Sequence, residues 1–254
     1  RLVEPAHAGA EQAIALDPDD SMLFENLAHS LDAADRDEEA LQAYAEAQRL
    51  APASAPNLCT LAAGYAAIKE PAKAIEAYRK ALTIDPNYTE AAIELARALI
   101  TAGDLAAAEG TALQAVELAP DNALAWNVLG YAFRKQLKDG DAVEAYGRAI
   151  ELDPSFALAY NNRGVALMAL DETGAAEDDL AQAVALDPGR ADFHANYSRA
   201  LFHNGELEAA TNACQAAAMI EPGNTEYRAS LAWLLLKQGS IEAALLESDA
   251  ALAN

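Results

Sequence analysis

Seven prolines, Pro18, Pro52, Pro86, Pro120, Pro154, Pro188 and Pro222, stand 34 residues apart without one slip, and only three others occur in the chain. A fixed period of this length marks stacked supersecondary units, each too small to bury its apolar face alone. No insertion or deletion interrupts the six intervals, so every unit must satisfy the same geometry. The period alone does not say what the unit is.

The residues between the prolines do. Alanine stands 22 residues after each one (Ala40, Ala74, Ala108, Ala142, Ala176, Ala210, Ala244) and again at 29 (Ala47, Ala81, Ala115, Ala149, Ala183, Ala217, Ala251), with Ala6 and Ala13 extending both series backwards. Helices approach closely only where side chains are small, so these are natural contact points. Larger residues recur nine after the proline (Leu27, Leu61, Leu95, Leu129), thirteen after (Leu31, Tyr65, Leu99, Phe133, Leu167, Leu201, Leu235) and twenty-six after (Tyr44, Tyr78, Tyr146, Leu180). Steps of three and four residues within each half describe one apolar helix face, so each period reads as two helices of roughly 12–15 residues. Between them, Gly103, Gly140, Gly174, Gly205 or Gly239 is expected to supply a left-handed helix end. The second helix must stop before the proline, whose ring disfavours helical geometry at its predecessor. Asp17, Asp85, Asp153 and Asp187 take that preceding place, and Ser21, Ser54, Thr89, Asn122 and Thr225 lie near the next start, where an oxygen can cap free amides.

With these positions in hand, the chain resembles the tetratricopeptide repeat (TPR) family. The segment from Ala123 to Pro154 carries the likeness best, through Trp126, Leu129, Gly130, Phe133, Ala142, Tyr146, Ala149 and Pro154. The resemblance implies an all-α, right-handed superhelical solenoid of helix-turn-helix units with about fifteen helices. One solenoid is expected over 1–254: a half repeat at 1–20, six full repeats over 21–224, and a nearly complete seventh over 225–254. Departures are local. Arg163 replaces an apolar residue and is expected to hydrogen-bond between helices; Ala112 and Ser248 replace bulky ones; His194 and Arg228 replace large apolar ones.

Composition narrows the function. The net charge is −23, from 40 acidic and 17 basic residues. Such a field repels phosphate polymers and anionic membranes, and nucleic-acid binding needs a basic stripe that a pI near 4.3 argues against. No stretch reads as a membrane-inserting segment. Cys59 and Cys214 fall four units apart, on the order of 30 Å at ordinary helix spacings, too far for a disulfide. Two free thiols favour a reducing cytoplasm, with a bacterial periplasm also open. No phosphate-cradling glycine loop or paired-histidine metal motif occurs; His7, His29, His194 and His203 are scattered. The acidic runs at Asp17 to Asp20 and Glu177 to Asp179 lack the glycine and closing glutamate of a calcium loop. No catalytic residue, metal or cofactor is therefore expected. Arg1 falls near the start of a second helix, and Leu245 and Leu252 leave an apolar flank, so the chain is expected either to be part of a longer one or to pack its ends on another chain, including its own kind.

In the family, the first helix of each unit lines the concave groove, and its inward positions fall seven, eight, eleven, fourteen and fifteen residues after the proline. In the first three units these hold a mixed set, among them Glu25, Asn26, His29, Asp32, Glu94 and Arg97. From the fourth unit onward they gather Asn127, Tyr131, Arg134 and Lys135; Asn161, Asn162 and Met168; Asn196, Arg199, Phe202 and His203; and Trp233 and Lys237. Asparagine amides can hold a peptide backbone whatever its sequence, cations suit acidic side chains or a terminal carboxylate, and aromatics offer rigid contact area. Plainer readings stand beside this one. Asparagine eight after the proline is a family habit, Trp233 can face a cap or neighbouring chain, and the cations can balance Asp192 and Glu226.

The resemblance also excludes one partner class. The carboxylate clamp for chaperone tails needs lysine seven residues after the proline, where this chain has Glu25, Cys59, Ile93, Asn127, Asn161, Ala195 and Ala229. The asparagine run is closer to the ladder of O-linked sugar transferases, although no transferase domain is present. The expected function is a non-enzymatic scaffold that binds an extended, acidic peptide segment of another protein in its concave groove. The alternatives are an assembly subunit docking through its terminal repeats, and the recognition arm of a larger enzyme such as a glycosyl- or sulfotransferase.

Overall fold

The computed structural model describes Gly9 and residues 14–34, 36–50 and 54–252. Arg1, Ala6, His7, Ala13 and Pro52, on which part of the sequence reading rests, lie outside the described residues, as does most of the half repeat before Pro18. Beyond the helical residues 14–16, fourteen helices follow among the described residues, and no strand. They are α1 (Ser21–Asp32), α2 (Asp37–Leu50), α3 (Ala55–Ala67), α4 (Pro71–Ile84), α5 (Thr89–Ala102), α6 (Leu105–Leu118), α7 (Ala123–Lys135), α8 (Asp139–Leu152), α9 (Ala157–Ala169), α10 (Thr173–Leu186), α11 (Ala191–His203), α12 (Leu207–Ile220), α13 (Thr225–Lys237) and α14 (Ile241–Leu252). The fold is all-α, with one helical hairpin per 34 residues.

The chain divides into two compact units, Arg1–Pro120 and Asp121–Asn254. In the first, α1 pairs with α2, α3 with α4 and α5 with α6; the hairpins stack in sequence order, and α3 touches both α1 and α5. In the second, α7 to α14 form four hairpins stacked the same way, with α9 touching both α7 and α11.

At Pro86, Pro120, Pro154, Pro188 and Pro222 the proline ruler ends the preceding helix by the expected route. Asp85, Ala119, Asp153, Asp187 and Glu221 each precede a proline and leave helical geometry, with φ of −131°, −138°, −136°, −138° and −120°, Asp85 and Asp153 being fully extended. Three of the aspartates also accept a hydrogen bond from the amide two residues on: Asp85 from Asn87 at 3.0 Å, Asp153 from Ser155 at 2.9 Å and Asp187 from Gly189 at 3.3 Å. The aspartate–proline step is thus a self-closing turn.

The turn inside each hairpin differs from expectation. Seventeen residues after the proline, Lys69, Gly103, Leu137, Asp171, Gly205 and Gly239 are all left-handed, with φ between 60° and 84°. Gly140 and Gly174 are not the turn residues; they lie inside the first turns of α8 and α10, while Leu137 and Asp171 carry the left-handed conformation. Repeat geometry sets this position, and three units meet it without glycine. Capping is also shifted by one residue in places. Ser54 and Asn122 cap α3 and α7 as expected, but Ser21 and Thr225 are first helical residues, capped by Asp20 and Asn224, and Thr89 follows Tyr88, which makes no side-chain cap.

Among the described residues the two alanine series are buried, save Ala251 at the flank of α14. In the units that begin at Pro120 and Pro154, positions 10 and 26 face each other, so one must be small. A Cβ on Gly130 would stand 2.7 Å from the Tyr146 ring, and one on Gly164 would stand 2.6 Å from Leu180. Polar departures are compensated individually. Arg163 makes a two-pronged ion pair with Asp179 across its hairpin, both bonds 2.7 Å, and the Asp179 side chain is 8% exposed. Arg228 donates to Glu247 at 2.8 Å and to the Pro222 carbonyl at 2.7 Å, and His194 meets the Pro188 carbonyl at 3.0 Å. Asp179 and Glu247 occupy the twenty-fifth place of their units, where the other units hold Ala43, Ala77, Thr111, Ala145 and Ala213. Acid appears there only where an arginine has replaced an apolar residue on the facing helix.

Candidate functional site

The thirteen residues gathered from the fourth unit onward all belong to the second compact unit, on its first helices α7, α9, α11 and α13. A chain of side-chain hydrogen bonds joins three of those helices. Arg199 donates to Asn196 Oδ1 at 2.6 Å, and Asn196 Nδ2 donates to Asn161 Oδ1 at 2.8 Å. Asn161 Nδ2 in turn reaches Asn162 Oδ1 at 3.4 Å, and Asn162 Nδ2 donates to Asn127 Oδ1 at 3.1 Å. Each amide oxygen thus accepts from the next donor along the face. Asn127 and Asn161 are each only 5% exposed and brace the row from beneath, while Asn162 and Asn196 are partly open. One N–H on each of these two amides, and a second lone pair on each oxygen, stay available to a ligand.

An aromatic group continues the row. Phe202 meets Trp233 edge to face at 4.8 Å and His203 at 6.3 Å, and Lys237 lies 5.2 Å from the Trp233 ring centre. On α7, Tyr131 and Lys135 form a separate pair, with the ammonium 5.2 Å from the ring centre. Tyr131 also packs against the cluster around the buried Tyr146. Burial pushes the Tyr146 phenol far above its ordinary range, with the neighbouring Arg134 charge opposing the shift.

The cations of this face differ from the rest of the unit. Arg148, Arg163, Arg190 and Arg228 each engage a carboxylate, namely Glu151, Asp179, Asp192 and Glu247. Among the described residues, Arg134, Lys135, Arg199 and Lys237 have no carboxylate within ion-pair distance. Asp192, a candidate to balance them, is held instead by Arg190 at 2.6 and 2.8 Å, and that guanidinium keeps its carboxyl below the usual range.

Between α11 and α13 the face opens into a cleft of about 510 Å³, lined chiefly by Ala195, Arg199, Phe202, Tyr227, Ala229 and Trp233, with Ser198, Cys214 and Glu226 also lining it. Ser198 is bonded to the Ala210 carbonyl at 2.7 Å, and Cys214 leans on the Tyr227 carbonyl at 3.5 Å. Burial raises the Cys214 thiol to about 11 and that of Cys59 to about 12, so both stay protonated at neutral pH, and both are unbridged. Sequence reading found Arg199, Phe202 and Trp233 but not the cleft. The signal lies in the small residues Ala195 and Cys214, at positions that carry Asn161 and Leu180 one unit earlier, and in Ala229, which repeats Ala195 one unit later.

Among the described residues, no group of three histidine, cysteine or acidic side chains is placed to hold a metal ion, and no helix is long and apolar enough to cross a membrane. The fold and this face define a helical-repeat protein with a polar and aromatic surface on its first helices. Models of the tetratricopeptide repeat match residues 65–130 and 167–234, and a TPR repeat model matches 138–171. With more than half the sequence matched, the chain belongs to the tetratricopeptide repeat family. Such repeats serve in general as protein–protein interaction scaffolds and are generally non-enzymatic.

Solved structures agree on the fold. A chain of the APC/C hetero-tetramer Cut9-Hcn1 is similar with a TM-score of 0.72 at 18% identity over 92% of this chain and 46% of that one. This chain therefore spans about half the length of that relative. TTC0263, a thermophilic TPR protein in Thermus thermophilus, gives 0.61 at 23% identity over 72% of this chain and 99% of its own. MamA gives 0.56 at 24% identity over 63% and 94%. No curated protein matches the sequence.

Proposed function

We propose that the chain is a non-enzymatic scaffold holding an extended, acidic segment of a partner protein across α7, α9, α11 and α13. The observation that carries the reading is the set of four cations, Arg134, Lys135, Arg199 and Lys237, that have no carboxylate within ion-pair distance among the described residues, in a chain with 40 acidic residues. Unpaired arginine and lysine in so negative a field keep their affinity for an external carboxylate. The partly open amides of Asn162 and Asn196 can grip peptide backbone between those charges, and Trp233, 45% exposed, adds a rigid contact. Arg134→Ala and Arg199→Ala should each weaken an acidic peptide about two- to fivefold at low salt, as expected for partly exposed charges, with the difference shrinking as salt rises. Affinity unchanged by both substitutions rejects the assignment.

A second reading, a subunit of a larger assembly, is favoured by the last hairpin. Trp233, Leu236, Leu245 and Leu252 line an apolar depression of about 580 Å³, and all four are well exposed. Light scattering that finds a dimer insensitive to dilution, abolished by Leu245→Glu, would support docking through this hairpin. A monomer at all concentrations, for the purified chain, argues against self-docking.

A further inference from the structure

The cleft between α11 and α13 exists because the repeat's own fillers are missing there. In the two preceding units the seventh position holds Asn127 and Asn161, both buried, whereas in the last two it holds Ala195 and Ala229. The twenty-sixth position holds Tyr146 and then Leu180, both fully buried, before it shrinks to Cys214. Larger side chains are thus replaced by small ones beside Phe202 and Trp233, whose rings touch edge to face with centres 4.8 Å apart and form one wall. The opening, about 510 Å³, has room for a large side chain and is mainly apolar. Arg199 lines it and Lys237 flanks its Trp233 wall, neither with a carboxylate partner among the described residues.

We infer that this cleft is a specificity pocket for one bulky apolar side chain, aromatic or leucine-sized, carried by the bound segment next to an acidic residue. The inference rests on the reading that the α7–α13 face holds an acidic peptide, and it adds what that peptide must contain. The anchor packs against the Phe202–Trp233 ring pair, over Ala195 and Ala229, and its acidic neighbour meets Arg199 and Lys237.

The test uses the full chain and blocked peptides of sequence Glu-Glu-X-Glu-Glu, with X as phenylalanine, leucine or alanine, followed by calorimetry. Burial of the larger side chain should make the phenylalanine and leucine peptides about ten- to hundredfold tighter than the alanine peptide. Refilling the cleft with Ala229→Leu, at a position on α13 that is exposed, or with Cys214→Leu, the residue of the preceding unit, should reduce that ratio to about threefold or less. The two variants are independent, so misfolding of the buried one leaves the other to decide. Equal binding of all three peptides by the unaltered chain overturns the anchor pocket while leaving the acidic-peptide face intact. Discrimination that survives both refilled variants overturns the location. Absence of binding by any peptide overturns the underlying reading, and the pocket with it.

Discussion

Asp179→Ala is the substitution whose effect the structure defines most sharply. Asp179 is 8% exposed and holds the guanidinium of Arg163, itself 26% exposed, through two 2.7 Å bonds between α9 and α10. Removing one member of a fully buried pair costs about 3–5 kcal/mol, while an exposed pair contributes about 1 kcal/mol or less. Arg163 retains some access to water, so the expected loss lies between, at about 2–3 kcal/mol. At roughly 2–4 °C per kcal/mol for a chain of this size, thermal unfolding followed by circular dichroism should shift down by about 4–12 °C. Arg163→Leu alone should also destabilise, because it strands the Asp179 carboxylate. The double variant Arg163→Leu with Asp179→Ala recreates the pairing of Leu129 with Ala145 one unit earlier, and should return to within about 1 kcal/mol of the parent, or exceed it. Two single losses that merely add in the double variant would refute the claim that these positions compensate each other.

Three further outcomes follow from the fold. Leu137 is left-handed at φ 61° and 85% exposed, so Leu137→Gly should stabilise the second unit by about 1 kcal/mol, read as a higher midpoint in urea. Tyr146 is fully buried and its hydroxyl makes no hydrogen bond of good geometry among the described residues, so Tyr146→Phe should change stability by less than about 1 kcal/mol, whereas Tyr146→Ala should cost about 3–5 kcal/mol. With thiols raised to about 12 and about 11, Cys59 and Cys214 should react with a disulfide reagent at pH 8 only as fast as the fold opens, and denaturant should release both. A raised thiol favours folding while protonated, so this contribution is present below about pH 8.5 and fades as pH rises toward those folded values.

Much of this architecture was legible in the proline ruler and the paired alanines, because backbone restriction and close helix approach act through single residues. Gly140 and Gly174 do not mark the hairpin turn, since glycine permits a left-handed residue but does not compel one; Leu137 and Asp171 show that closure of the repeat imposes it. Cap positions slipped at Ser21, Thr89 and Thr225 because any small polar residue near a start can serve, and only backbone geometry selects between neighbours such as Asn224 and Thr225. At the candidate site, helical spacing placed the asparagines and cations on first helices, yet it did not reveal that the amides bond to one another, which depends on the offset between stacked hairpins. The cleft was missed for a related reason. A cavity is an absence shared by Ala195, Ala229 and Cys214 from three helices, and no single position announces it.

The most direct measurement is amide and side-chain chemical-shift mapping of the full chain titrated with an acidic peptide that carries one phenylalanine. Changes concentrated at Asn162, Asn196, Arg199, Phe202 and the Trp233 indole, while α1 to α6 stay silent, are what a peptide held on the second unit's first helices produces. Saturable binding that moves only resonances elsewhere would contradict the assignment.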